Sequence, residues 1–154
     1  MNRISGLVIL CAALAVAAAA QQLSADKLPA NVTRSFESRF QRIRRVEWKL
    51  KNDQNYEAEF KLRGVEVAAK FDSTGKWLET ETTITQSDLT RAVRATIVRD
   101  FRVYRIAESQ KLERCDDKEN LFEVHVENAK EILKLQFTGN GKLYSRSAKQ
   151  KKKA

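Results

Sequence analysis

Hydrophobic positions along this chain change period several times, and each change marks an element. Val32, Phe36, Phe40 and Ile43 recur at spacings of 4, 4 and 3, one stripe of a helix. Adding 61 to each number gives Val93, Ile97, Phe101 and Tyr104, the same stripe again. Leu28 and Leu89 keep that offset. Pro29 suits the first turn of the first helix, and Ser87 or Asp88 is placed to cap the second. Between the helices the period falls to two. Val46, Trp48 and Leu50 alternate with charged residues, as do Tyr56, Ala58 and Phe60, and Val65, Val67, Ala69 and Phe71 then alternate with Glu66, Ala68 and Lys70. These are strands with one buried and one wet face. Gly64 supplies the tight connection in "LRG", and "DSTGK" turns the chain into "WLETETTI".

The strand phrase then returns at an offset of 66. Phe122, Val124 and Val126 answer Tyr56, Ala58 and Phe60. Leu133, Leu135 and Phe137 answer Val67, Ala69 and Phe71. The two offsets differ by five residues, absorbed by the polar stretch "ERCDDKEN", where a longer loop costs little. The predicted fold is α+β: two tandem repeats, each one helix packed on a four-stranded antiparallel sheet. The expected layout is a leader over residues 1–20, repeats over 21–84 and 85–147, and a disordered basic tail over 148–154.

Residues 1–20 read as a secretory signal peptide. Arg3 precedes an apolar run that ends in alanines, with cleavage expected near Ala20. The protein is therefore expected to be secreted or periplasmic. Loss of the leader removes Cys11 and leaves Cys115 alone, so only an intermolecular disulfide is open to it.

The formal net charge is +9, from 29 Lys and Arg against 20 Asp and Glu. Lys149, Lys151, Lys152 and Lys153 carry four of those charges within the last six residues. Much of the basic character thus lies in the tail. It implies contact with an anionic surface, not a nucleic-acid-binding face, and export makes nucleic acid an unexpected target in vivo.

Catalytic chemistry has little to build on. The chain has one histidine, His125, which strand phase places on the wet face beside Glu123 and Glu127. No second His or Cys completes a usual metal ligand set. The glycines of "TGNGK" are those of a hairpin turn. Neither a cofactor fingerprint nor a nucleophile elbow is present. The chain reads as a non-enzyme with no cofactor and no metal.

The face away from the helices would show Glu57, Glu59, Lys61, Lys70 and His125, with Glu47, Lys49, Lys51 and Glu66 beside them. A partner held there would bind through charge. Trp48 and Tyr56 share strand phase with buried aliphatics. Trp77 starts a strand whose same-phase neighbours, Glu79, Glu81 and Thr83, are polar. Trp77, partly exposed at a unit edge, is the single best candidate for a contact residue.

The series Trp48, Tyr56, Phe60, Phe71-Asp72 and Gly75-Lys76-Trp77, in two copies behind a leader, resembles the PepSY-like family of secreted bacterial proteins. That family is related in fold to the β-lactamase inhibitor protein. The resemblance covers residues 28–147. It implies tandem helix-plus-sheet units, export, no catalysis, and binding or inhibition of another secreted or envelope protein. The second copy departs from the pattern: Ser109 or Gln110 stands near the place of Trp48, Leu143 replaces Trp77, and Thr138-Gly139 replaces Asp72-Ser73. An alternative reading is an envelope-surface protein held to anionic lipid or polysaccharide through its lysine-rich tail.

Overall fold

The computed structural model describes residues 21–116 and 119–151. The leader and its cleavage point lie outside the described residues. In chain order the elements are β1 (Gln21–Leu23), α1 (Ala30–Arg39), β2 (Val46–Leu50), β3 (Tyr56–Leu62), β4 (Val65–Phe71) and β5 (Trp77–Thr83). They continue with α2 (Arg91–Asp100), β6 (Arg105–Arg114), β7 (Leu121–Glu127), β8 (Glu131–Thr138) and β9 (Leu143–Gln150).

The expected pair of four-stranded sheets is corrected. All the strands form a single nine-stranded antiparallel sheet in the order β1 to β9. The join is the ladder between β5 and β6, from Glu79 opposite Arg114 to Thr83 opposite Gln110. Two separate sheets would each have left a strand edge with unpaired backbone groups at this point, and pairing them satisfies both. The extra strand, β1, adds to the outer edge of β2. Its three residues are too few to show a period.

Both helices lie on one face of the sheet. α1 buries Val32 and Phe36 against Trp48, Ala58, Phe60, Val67, Ala69 and Phe71. α2 buries Val93 and Ile97 against Val124, Val126, Leu133, Leu135 and Phe137, with Leu89 and Phe101 at its ends. Register shows that the two sets share a face. Ala58, Ala69, Thr80 and Glu113 stand opposite one another in succession. Two residues along β6, Lys111 faces Phe122 and then Phe137. The cores stay distinct, because this part of the face carries Thr80, Thr82, Ser109 and a Lys111–Glu113 pair at 3.1 Å. The first core is aromatic: the Phe36 ring lies 5.2 Å from Trp48, 5.3 Å from Phe60 and 5.4 Å from Phe40. Such edge-on and tilted pairs add about 1 kcal/mol each beyond their burial. The second core is mainly aliphatic.

Two further expectations change. The second helix is capped by Thr90, whose Oγ1 accepts from the Val93 amide at 3.1 Å. Residues 86–88 instead form a 3-10 turn closed by a reciprocal Thr85–Asp88 box, so the α-helix starts later than Ser87 or Asp88 would have set it. The basic tail is also shorter than expected. Residues 148–150 belong to β9, where Ala148 pairs with Leu133, Lys149 with Ile132 and Gln150 with Glu131. Every residue of β9 is exposed. A ladder of backbone hydrogen bonds holds an edge strand without any apolar alternation, which is why the side-chain pattern did not reveal it. Lys152 and Lys153 lie outside the described residues.

Each helix is clamped at its first turn by a hairpin. A Cβ at Gly75 would lie 2.5 Å from the Asn31 carbonyl oxygen, and one at Gly141 2.6 Å from that of Ala92. Both glycines also have φ above +80°. Thr90 and Thr96 extend the second clamp, donating to the Gly139 and Gly141 carbonyls at 2.8 and 2.9 Å. We expect Gly75→Ala and Gly141→Ala each to cost about 2–3 kcal/mol, the left-handed strain plus the clash. Gly64→Ala has a similar φ but open space around it, and should cost only about 1 kcal/mol. Urea unfolding of the three variants measures the contrast, and equal losses would refute the clamp.

Candidate functional site

Strand alternation that sends the apolar residues to the helices sends the charged ones to the opposite, helix-free face. That face is not flat. Leu112 and Leu121 are 1% and 2% exposed there, and Glu57 and Glu123 are buried, although no helix covers them. Accumulated strand twist bends the sheet around them. The Arg114 guanidinium of β6 even reaches the Tyr144 ring of β9, 5.4 Å from its centroid. The result is a polar trough of about 580 Å³, with Lys51, Glu57, Glu59, Lys70, Glu81 and Lys134 among its walls.

Ion pairs line both banks. On one, Lys51 meets Glu57 at 3.0 Å and Lys70 meets Glu79 at 2.8 Å. On the other, the buried Glu123 carboxylate is a hub. It accepts from Lys134 at 2.7 Å, Gln136 at 2.8 Å and His125 Nε2 at 3.0 Å. His125 Nδ1 lies 3.2 Å from Glu108. Burial opposes the charge of Glu123, but the His125, Lys134 and Gln136 hydrogen bonds outweigh it and bring its pKa to about 2. The hydrogen bond to Glu123 raises His125 above the usual imidazole value, with burial pulling the other way. Lys134 loses by burial and gains more from Glu123, so it too is raised.

Glu81 is the exception. It sits between the banks with no cation within ion-pair distance among the described residues. Burial pushes its pKa up, and the nearby Glu123 charge pushes it further. A partly desolvated, unmatched carboxylate on a trough floor can accept an ammonium or guanidinium brought in by a partner.

Of the residues singled out from sequence, Glu57, Glu59 and Lys70 line the trough. His125 stands on its far bank, against Ile132 and Lys149. Lys61 lies at the β3–β4 hairpin, pairing with Glu66 at 2.9 Å in solvent. Trp77 is not among them. A bulge places Lys70 opposite Glu79 but Phe71 opposite Trp77, so Trp77 turns to the helix side. There it packs on the first core and donates to Thr80 Oγ1 at 2.9 Å, beneath the Arg39 guanidinium 3.5 Å from its ring. A single extra residue reversed the phase read from its polar neighbours. Glu127 leaves the histidine group as well, pairing with Arg105 and Lys151. Sequence reading missed Glu81 and Glu108 as trough residues, because β5 and β6 had not been joined. Cys115 is free and exposed.

These charges set a pH window. The Glu123 contribution is complete above the ordinary carboxylate value of 4.5 and lost as pH falls toward 2. That of His125 is complete below 6.5 and lost as pH rises through its elevated value. Stability from this bank should peak between those limits. Glu123→Gln should cost about 3 kcal/mol there, since it strands Lys134 and His125. Glu81→Gln should stabilise the free protein at neutral pH, with the gain vanishing in acid, because its raised pKa makes ionisation unfavourable. Denaturant melts from pH 3 to 9 check both, and a neutral-pH loss in Glu81→Gln would overturn this account of the trough.

Comparison with known proteins agrees with the fold. No curated protein sequence matches the chain. A structure from Bacteroides fragilis described as a BLIP-like protein superposes with a TM-score of 0.67 at 21% identity, over 80% of this chain and 87% of that one. A DUF2874 family protein from Bacteroides ovatus gives 0.71 at 21% identity, over 80% and 89%. A Bacteroides eggerthii structure described as one of the "putative periplasmic proteins" gives 0.72 at 14% identity, over 79% and 88%. The family described as "Putative beta-lactamase-inhibitor-like, PepSY-like" matches residues 14–68 and 54–145. The sequence resemblance is thereby borne out, and the chain belongs to the PepSY-like family.

Proposed function

We propose that this protein is an exported, non-catalytic binding protein whose helix-free trough engages a basic protrusion of another envelope or secreted protein. The observation that carries the reading is Glu81: a carboxylate held on the floor of a curved charged face with its neighbours already paired and no cation of its own. A partner arginine or lysine entering the trough would meet Glu81, with Glu59 and Glu108 also lining it. The same entry would relieve the unfavourable ionisation that the free protein carries.

Other features support it. His125 has a carboxylate on each ring nitrogen, at 3.0 and 3.2 Å. The hydrogen bond to Glu123 favours the charged form of the ring, which suits a structural role for it. The family description and the BLIP-like neighbour fit a binding protein. The leader and the periplasmic description of the Bacteroides eggerthii protein fit export. Partner binding that rests on charge should be fast and salt-sensitive.

The test is capture from an envelope extract on immobilised protein, beside Glu59→Lys/Glu81→Gln and a form lacking residues 152–154. The expected result is one protein recovered by wild type and by the shortened form, eluted by raised salt, and lost from the trough variant. Replacing Glu81 alone should weaken binding about tenfold, as one charge-assisted contact is removed. Equal recovery by the trough variant would end this reading.

A further inference from the structure

Antiparallel order gathers particular loops at each end of the sheet. The starts of β2, β4, β6 and β8 share one end with the finishes of β3, β5, β7 and β9. Both helices finish there too, since their first turns touch the Gly75 and Gly141 hairpins at the opposite end. The shared end is basic. The α1–β2 loop brings Arg42, Arg44 and Arg45, the β3–β4 hairpin Arg63, the α2–β6 loop Arg102, and the β7–β8 hairpin Lys130. All six are exposed, and among the described residues none has a carboxylate within ion-pair distance. Of the acids nearby, Glu66 is matched by Lys61, Glu127 by Arg105 and Lys151, and Asp100 by Arg99, while Glu37 and Glu47 stand exposed beside Arg42 and Arg44 without offsetting all six cations. The opposite end instead intersperses its cations with Asp53, Asp72, Asp116 and Glu119.

A second feature coincides with the first. Leu62 and Val65, 40% and 39% exposed, flank the Arg63 turn. Val103, 70% exposed, follows Arg102, and Val98, 73% exposed, lies in the last turns of α2. Exposed aliphatics thus stand among the arginines on separate loops. Neighbouring strands are about 4.8 Å apart, so these loops spread across up to roughly 30 Å. A polyanionic sugar or nucleic acid offers charge but no apolar phase. A phospholipid surface offers a plane of anionic headgroups with hydrocarbon just beneath, which fits scattered arginines with aliphatic tips between them.

We infer that this end of the sheet docks on an anionic phospholipid surface, strands roughly upright. The contact is made by the folded loops rather than by the lysine-rich terminus, and it is independent of the trough. Both cores lie within residues 21–151, so the chain from Gln21 is the unit to test. Its use also removes the apolar leader as a route into lipid. Flotation with phosphatidylglycerol-containing vesicles, against pure phosphatidylcholine ones, reads the partition. Wild type should bind the anionic vesicles only, and lose binding as salt rises. Arg42→Gln/Arg44→Gln/Arg63→Gln/Arg102→Gln, with an unchanged melting temperature, should bind on the order of a hundredfold more weakly. Val98→Asn/Val103→Asn should lose about tenfold while keeping its salt dependence. Deleting residues 152–154 should change binding by about fivefold or less. The inference fails if wild type shows no preference for the anionic vesicles, or if the arginine variant binds as wild type does. It also fails if the valine variant is unimpaired on vesicles while soluble dextran sulfate binds wild type as tightly as they do.

Discussion

The ladder between β5 and β6 is five residue pairs long, and every larger feature of the molecule depends on it. It carries the chain from one helix-covered core to the other without a break in backbone pairing. It also brings Glu81 of β5 beside Leu112 of β6 and so within reach of the Glu123 field. Had the halves met through their helices instead, the charged faces would have pointed apart and no trough would span them. Because the join is made of backbone hydrogen bonds, it leaves the side chains of both faces free to specialise.

That specialisation is uneven. The helix side holds two conventional cores separated by a polar strip, and its Gly75 and Gly141 clamps fix each helix at its first turn. The open side buries carboxylates instead. Glu123 is matched by three donors and is held ionised far below the usual range. Glu81 is in the same trough with no ion-pair partner among the described residues, and burial, then the Glu123 charge, move its pKa up against the weaker pull of Lys134 and Lys70. Two glutamates on one face with opposite shifts fit the proposal that one charge builds the fold and the other is kept for a partner. The second kind costs stability in the free protein, and a binding surface is where such a cost is tolerated.

Much of the fold was legible because its periods are clean. The strand alternation of residues 46–71 and 122–137 and the turn glycines fall where the pattern placed them, whereas the helices stop at Arg39 and Asp100 and leave Ile43 and Tyr104, the last positions of the two stripes, beyond them. The number of sheets was not legible, since which strand edges meet is decided by tertiary pairing and leaves no mark in alternation. β1 and the end of β9 were missed for a related reason: backbone ladders hold them, and their side chains are mostly exposed. At the site, Glu57, Glu59, Lys70 and His125 were placed on the open face by strand phase alone. Trp77 was misplaced by one extra residue in β5, Leu78, which falls between the Lys70–Glu79 and Phe71–Trp77 pairs, a defect that inverts phase and cannot be counted from polarity. Glu81 was in view as a polar neighbour, but its isolation appears only once β5 and β6 lie side by side.

The two surfaces proposed for binding do not compete for space, and the geometry of the sheet explains why. The trough opens along the sheet normal, whereas the basic loops lie at the ends of the strands, so contact with one leaves the other accessible. Helix dipoles reinforce this polarity in only one respect. Both helices end at the basic pole, where their partial negative charge is offset within the last turn by Arg39 and Arg99. The loop arginines beyond them are therefore not needed to neutralise the helices. Among the described residues none of them forms an ion pair, and Glu66 and Glu127 beside them already have lysine or arginine partners. Surplus positive charge concentrated at one pole raises the self-repulsion of the folded chain. It is relieved most readily by an external anionic surface, and the aliphatic tips among the arginines give that surface a reason to be lipid.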